Sequence, residues 1–264
     1  MPTALITGAT GGLGRAFATA LADRHYDLIL TARSDAALEA FAKELRFSRQ
    51  GRVVTIPQDL SVAGAAEQLY GQVSSQGLDV DLLVNNAGFG DYGAFADRDR
   101  QRLTAMVQVN ITALMELTHL VLPPMRQRRR GTIINVSSIA AFQPLPYLAV
   151  YAATKAFVRH FSEALWAELK PLGIRVLAVC PGPTATEFFE RADMTRNPAL
   201  ISGQDSPAQI VAETLAALDT DVATLVPGHA RNRLLAVAGR LVPRQWLVQQ
   251  LEPRFRPPAE QEES

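Results

Sequence analysis

Short runs of β-branched and leucine-type residues alternate along the chain with longer segments whose apolar positions recur every three or four residues. The short runs occupy residues 4–7, 27–31, 53–56, 82–84, 132–136, 175–179 and 223–226. They are apolar almost throughout, as expected of strands in a parallel sheet covered on both faces. The segments 13–23, 36–47, 63–76, 98–125, 151–172 and 207–218 carry the helical period. This alternation predicts an α/β fold: one doubly wound domain over residues 1–228 around a central parallel sheet of about seven strands.

Two regions break the rhythm. Residues 184–204 hold no clear strand and follow the sixth run, which places them beside the ligand crevice of an open α/β sheet; they are expected to form a substrate lid. Residues 229–264 form an extension, either part of the same domain or appended to it. Between His229 and Arg256 it has six arginines and one acid, interleaved with Leu234, Leu235, Leu241, Val242, Trp246, Leu247 and Leu251. Residues 259–264 make an acidic tail, expected to fray. The most apolar long stretch, residues 107–122, contains Asn110, Glu116 and His119 and runs into Pro123 and Pro124, so no membrane span is expected there.

Composition narrows the class. With 264 residues, 48% hydrophobic and 20% charged, the chain can bury a full core. Its 26 basic and 26 acidic side chains cancel, which removes a global field for nucleic acid or anionic membrane. The single cysteine, Cys180, forms no internal disulfide, fits a reducing compartment and excludes a cysteine-rich metal site. Residues 1–5 leave no room for a secretory signal before the first turn. A cytoplasmic protein that binds no metal and no nucleic acid is the expectation.

Two clusters carry candidate chemistry. The first strand runs into Thr7-Gly8-Ala9-Thr10-Gly11-Gly12-Leu13-Gly14 and then a helix. Glycines let a backbone approach a pyrophosphate, and unpaired N–H groups at a helix start face the anion. In the second cluster, Lys155 follows Tyr151 by one helical turn, and Ser138 lies thirteen residues before the tyrosine, at the end of the fifth strand. A phenolate at pH 8 costs about 2.7 kcal/mol, and a neighbouring cation lowers that cost. Tyr151 then becomes a usable proton donor or acceptor.

Gly8 to Gly14, Asn85-Asn86-Ala87-Gly88, Asn110, Ser138, Tyr151, Lys155 and Pro181-Gly182 together resemble the short-chain dehydrogenase/reductase family in its roughly 250-residue form, over residues 3–226. The resemblance implies a hydride-transferring oxidoreductase acting on a carbonyl or alcohol. It implies that Tyr151 exchanges a proton with the substrate oxygen and Ser138 hydrogen-bonds that oxygen. Lys155 would lower the Tyr151 pKa and hold the nicotinamide ribose, and Asn110 would anchor a water linking Lys155 to solvent. For the cofactor it implies Gly8, Thr10, Gly12, Leu13 and Gly14 at the pyrophosphate turn, and Asn86, Ala87 and Gly88 on the adenosine side. Asp59 with Leu60 would sit at the adenine, and Pro181, Gly182, Thr184 and Thr186 over the nicotinamide amide and pyrophosphate.

Cofactor choice is written after the second strand, in Ala32-Arg33-Ser34. An NAD enzyme places a carboxylate there for the ribose hydroxyl. Here Ala32 takes that place, and Arg33 offers a planar donor suited to a 2′-phosphate. NADP(H) is favoured over NAD(H), although Gly11 stands where many NADP-using relatives carry Lys or Arg. Phe89, Ala140, Phe142, Pro144, Leu145, Tyr147, Phe188 and Phe189 suggest a small apolar carbonyl or alcohol substrate. The alternative is a regulatory protein that binds NADP(H) without turnover, which would have no chemical need for all of Asn110, Ser138, Tyr151 and Lys155. Phe157, Phe161, Leu165 and Trp166 exceed what one buried helix face needs and predict a homodimer or homotetramer. The basic C-terminal extension is expected to cap the core or gate the substrate crevice. Contact with an anionic membrane ranks below these, because the acidic tail and zero net charge oppose it.

Overall fold

The computed structural model describes the chain except residues 49–50, 196, 198–202, 239–241 and 259–264. The acidic tail, Leu241 and part of the expected lid therefore lie outside the described residues. In chain order the elements are β1 (Thr3–Thr7), α1 (Gly12–Asp23), β2 (Asp27–Thr31), α2 (Asp35–Ser48), β3 (Val53–Thr55), α3 (Ala65–Ser75), β4 (Leu82–Asn85) and α4 (Arg100–Val107). There follow α5 (Leu114–Arg128), β5 (Gly131–Val136), α6 (Ala149–Leu169), β6 (Ile174–Val179), α7 (Phe188–Arg191), α8 (Pro207–Ala217), β7 (Thr224–Leu225), α9 (Ala230–Ala238) and α10 (Arg244–Phe255).

All seven strands pair in parallel in the order β3-β2-β1-β4-β5-β6-β7. The order reverses between β1 and β4, and the crevice beyond the carboxyl ends of the strands opens at that switch point. Alternate strand residues serve opposite faces, as the two-residue strand period requires. Ile6, Leu28, Leu30 and Val84 pack with Phe17 and Leu21 of α1, Phe41 of α2 and Leu215 of α8. Leu5, Ile29, Leu83 and Ile133 pack with Leu69 and Val73 of α3, Leu117 and Val121 of α5 and Leu169 of α6. A third cluster, with Tyr92, Met106, Leu145, Tyr151 and Phe189, lies apart from these two and receives Leu251 and Phe255 of α10.

The expected helix over 98–125 differs in two ways. A π turn, Gln108–Ala113, separates α4 from α5, and Asn110 sits inside it. The helix also continues through Pro123 and Pro124 to Arg128. Each proline removes a helical hydrogen bond, but Val121 and Met125 on the same turns are fully buried and hold the helix in place. The run Arg100–Arg128 is long and apolar enough to cross a membrane by length and composition alone, extending beyond the 107–122 stretch singled out in the sequence. Its apolar residues Leu117, Val121 and Met125 have a core to fill against the sheet.

Candidate active site

The glycine-rich turn is built by close approach. Gly8 adopts φ +63°, a left-handed conformation that glycine takes without strain. A Cβ on Gly14 would lie 2.1 Å from the Gly8 carbonyl oxygen, and one on Gly12 would lie 2.3 Å from Thr186 Cγ2. No side chain caps the start of α1, so its first N–H groups keep their capacity for an anion. The Asn86 amide donates to the carbonyls of Thr7 (2.9 Å) and Gly8 (3.1 Å), while Thr7 Oγ1 accepts from the Asn86 and Ala87 N–H groups. Asn86 therefore braces the turn from β4.

A cleft of about 1100 Å³ runs along the carboxyl edge of the sheet. Gly8, Thr10, Gly12, Leu13, Arg33, Asp59, Leu60, Asn86, Ala87 and Gly88 line one end. Ser138, Tyr151, Lys155, Pro181, Gly182, Thr184 and Thr186 line the rest of the dinucleotide side. Three expected site residues do not line it. Gly14 is buried behind the turn, Ser34 accepts from Ala37 N (3.3 Å) at the start of α2, and Asn110 is buried beneath the cleft floor. Asp59 Oδ1 accepts from the backbone N–H and hydroxyl of Ser61. Burial pushes its pKa upward, but those hydrogen bonds and the Arg33 charge hold it below the usual carboxylate value.

The residues fit a nicotinamide dinucleotide. The glycine cradle leaves no room for a side chain at Gly12 or Gly14, and Thr31 Oγ1, on a residue lining the cleft, is buried without a hydrogen-bond partner. Ala32 and Arg33 follow β2 and both line the cleft, so the position after the strand carries an alanine and a guanidinium.

Tyr151 and Lys155 rise from one face of α6 toward Ser138 after β5. The Tyr151 hydroxyl hydrogen-bonds with the Ser138 side chain, and its ring packs 5.4 Å from that of Phe188. Lys155 Nζ donates to the Val136 carbonyl (2.9 Å) and lies 5.9 Å from the Tyr151 ring centre. Burial pushes the Tyr151 phenol up to about 12, against the Ser138 hydrogen bond, which lowers it. The same burial brings the Lys155 ammonium down to about 8. Desolvation of the phenolate thus outweighs the Ser138 hydrogen bond in setting the Tyr151 pKa. Asn110 accepts from Phe89 N (3.1 Å) and donates to Phe89 O (3.0 Å) and Thr154 Oγ1 (3.0 Å). It clamps the loop after β4 to α6 one residue from Lys155.

On the substrate side, Phe89, Ala140, Leu145, Phe188 and Phe189 line the cleft as expected. Phe142, Pro144 and Tyr147 do not: the Phe142 ring lies beneath the Arg159 guanidinium, and the Tyr147 hydroxyl donates to Glu252 on α10. Their place is taken by Leu247, Leu251 and Phe255 of the C-terminal extension, with Tyr92 donating to the Phe255 carbonyl (2.9 Å). The extension thus forms a wall of the crevice. Sequence reading missed Asp91, whose fully buried carboxylate takes two hydrogen bonds from Arg98 and one from Arg102. Burial raises its pKa, but the two guanidiniums bring it below the usual value. Arg102 lines the cleft beside the Phe89 ring. An acid followed by basic residues seven and eleven positions on was the available signal, though it also fits a solvated helix face.

The sequence profile of the short chain dehydrogenases matches residues 2–197. The chain belongs to the short-chain dehydrogenase family. It is 35% identical over 218 residues to very-long-chain 3-oxoacyl-CoA reductase-A of Danio rerio, a match covering 80% of this chain and 65% of that one. This dehydrogenase spans about half to two thirds of the length of the first curated relatives it matches. Among solved structures, a short-chain dehydrogenase from Sphingobium yanoikuyae in complex with NADPH superposes with a TM-score of 0.81 at 32% identity, covering 94% of this chain and 96% of that one. The bulky-bulky ketone specific alcohol dehydrogenase from Comamonas testosteroni gives 0.77 at 29%, covering 95% and 94%.

Proposed function

We propose that this dehydrogenase reduces an apolar carbonyl compound with NADPH, and that Ser138, Tyr151 and Lys155 carry the chemistry. The observation that supports this most is the convergence of a buried, protonated tyrosine, a serine hydroxyl and a lysine on one wall of a glycine-cradled cleft. A nicotinamide held in the cleft would supply the hydride. The substrate oxygen accepts a hydrogen bond from Ser138 and the proton of Tyr151 as the carbonyl carbon gains the hydride, giving a secondary or primary alcohol. A phenol with a pKa near 12 stays protonated at neutral pH and suits donation. Lys155 sits where it can hold the ribose hydroxyls and offset the phenolate that donation leaves behind. Asn110 fixes the backbone around Gly88, against which Lys155 lies.

Arg33 and the absence of an acid at Ala32 support NADP(H), as does the likeness to a structure in complex with NADPH. The apolar wall from Phe188, Phe189, Leu251 and Phe255, together with the relatives named for 3-oxoacyl-CoA and for bulky ketones, favours a long acyl or bulky apolar ketone. A panel of 3-oxoacyl thioesters, bulky ketones and aldehydes, followed by NADPH absorbance, tests this class. Saturable turnover is expected on at least one apolar member, and uniform inactivity would refute it.

Because burial brings the Lys155 ammonium down to about 8, carbonyl reduction is expected to lose kcat/KM as pH rises through about 8, with a single-proton slope. Below that value Lys155 is charged and Tyr151 protonated. A flat profile between pH 7 and 9.5 would show that the lysine charge is not needed.

We infer further that a second copy covers α4–α6. Val107 and Met115 are 38% and 40% exposed, and Phe157 stacks on Phe161 at 5.6 Å on a half-buried face of α6. Light scattering at micromolar concentration should give a dimer or tetramer mass, and Phe161→Glu should lower it. A monomeric wild type would contradict this.

A further inference from the structure

A buried carboxylate that hydride transfer does not use stands at the base of the segment after β6. Asp205 is 1% exposed. Its backbone pairs with the cofactor-side loop: Asp205 N donates to Pro183 O (2.9 Å), and Ala185 N donates to Asp205 O (3.0 Å). Its carboxylate turns the other way. Oδ1 accepts from His229 N (3.2 Å) and pairs with the His229 ring, while Oδ2 accepts from Asn232 Nδ2 (3.0 Å) at the start of α9.

Asn232 is itself buried and presses on Gly182, where a Cβ would lie 2.2 Å from its Nδ2. Gly182 and Thr184 line the cleft, and Thr186 sits against Gly12 of the pyrophosphate turn. One carboxylate therefore fastens the 181–186 loop, the base of the segment that follows it, and the C-terminal extension to one another. A loop needs such an anchor to lie over a ligand in one conformation, because binding otherwise has to order it.

We propose that Asp205 and Asn232 are positioning residues for the cofactor: they hold the 181–186 loop over the dinucleotide, so that the C-terminal extension sets cofactor affinity as well as walling the substrate side. This rests on the cleft being the nicotinamide site. The bland alternative is a knot that adds only stability.

The two are separated by titrating NADPH fluorescence against the wild type, Asp205→Asn, Asn232→Ala and the double variant, with a thermal midpoint for each. Asp81→Asn is the stability control. Asp81 accepts from Thr3 N and pairs with Arg130 at the opposite, amino edge of the sheet.

Asp205→Asn and Asn232→Ala should each raise the NADPH Kd about tenfold, the scale of one lost hydrogen bond to a charged group. The double variant should lose less than the two singles summed, since both remove the Asp205–Asn232 contact. Asp81→Asn should shift the midpoint and leave Kd alone. If Asp205→Asn fails to fold, Asn232→Ala alone decides. Variants that melt earlier yet bind NADPH as the wild type does would overturn the proposal, as would fully additive losses in Kd. A wild type with no saturable NADPH or NADH binding would instead refute the cofactor reading beneath it.

Discussion

Replacing Tyr151 by Phe will lower the rate of carbonyl reduction by about a hundred- to ten-thousandfold, the range that a positioned proton donor contributes, while NADPH binding stays nearly unchanged. The substitution removes one hydroxyl. The ring that packs on Phe188 remains, and so does Lys155 with its hydrogen bond to the Val136 carbonyl. What disappears is the proton delivered to the developing alkoxide and the partner of the Ser138 hydroxyl. Single-turnover kinetics with saturating NADPH and an active panel member measure the step directly. Turnover within tenfold of wild type would show that another group donates the proton. A large loss of NADPH affinity would show instead that the phenol belongs to the binding site.

Replacing Arg33 by Ala will weaken NADPH by about ten- to a hundredfold, the worth of hydrogen bonds to a charged group, and leave NADH almost untouched. Only NADPH carries the 2′-phosphate. Arg33 follows β2 at the cleft wall, close enough to Asp59 for its charge to lower that carboxyl's pKa. Removing the guanidinium takes away the one basic side chain among the described cleft residues adjacent to β2, since Gly11 contributes none. Parallel titrations of both cofactors provide the test. Equal losses for NADPH and NADH would reduce Arg33 to a general contact. A wild type that prefers NADH would overturn the 2′-phosphate assignment.

The strands and the two chemical clusters were legible because parallel strands covered on both faces are apolar throughout, and because glycine spacing and a one-turn Tyr–Lys pair are local patterns. β2 matches its expected residues, β1, β3, β4, β5 and β6 differ by one residue at an end, and β7 is shorter by one at each end. The π turn around Asn110 was not legible: six residues of altered hydrogen bonding leave the apolar period of the flanking helices intact. Nor was the passage of α5 through Pro123 and Pro124, where packing overrides local propensity. Ser34 and Tyr147 show a further limit. Both lie in the expected segments, but one caps a helix and the other reaches Glu252, 105 residues away. Asp205–Asn232 and Asp91–Arg102 become sites only when the chain folds back on itself. The Tyr151 pKa required the degree of burial, which motif spacing does not carry.

Deuterium transfer most directly tests the claim that this cleft moves a hydride from NADPH to an apolar carbonyl. The wild-type protein is incubated with NADPH deuterated at the transferring C4 position and the panel of 3-oxoacyl thioesters and bulky ketones, and the alcohol is analysed by mass spectrometry and NMR. One deuterium at the carbinol carbon, with one NADPH consumed per alcohol formed, is the predicted result. NADPH that binds saturably but yields no deuterated alcohol from any panel member would contradict it.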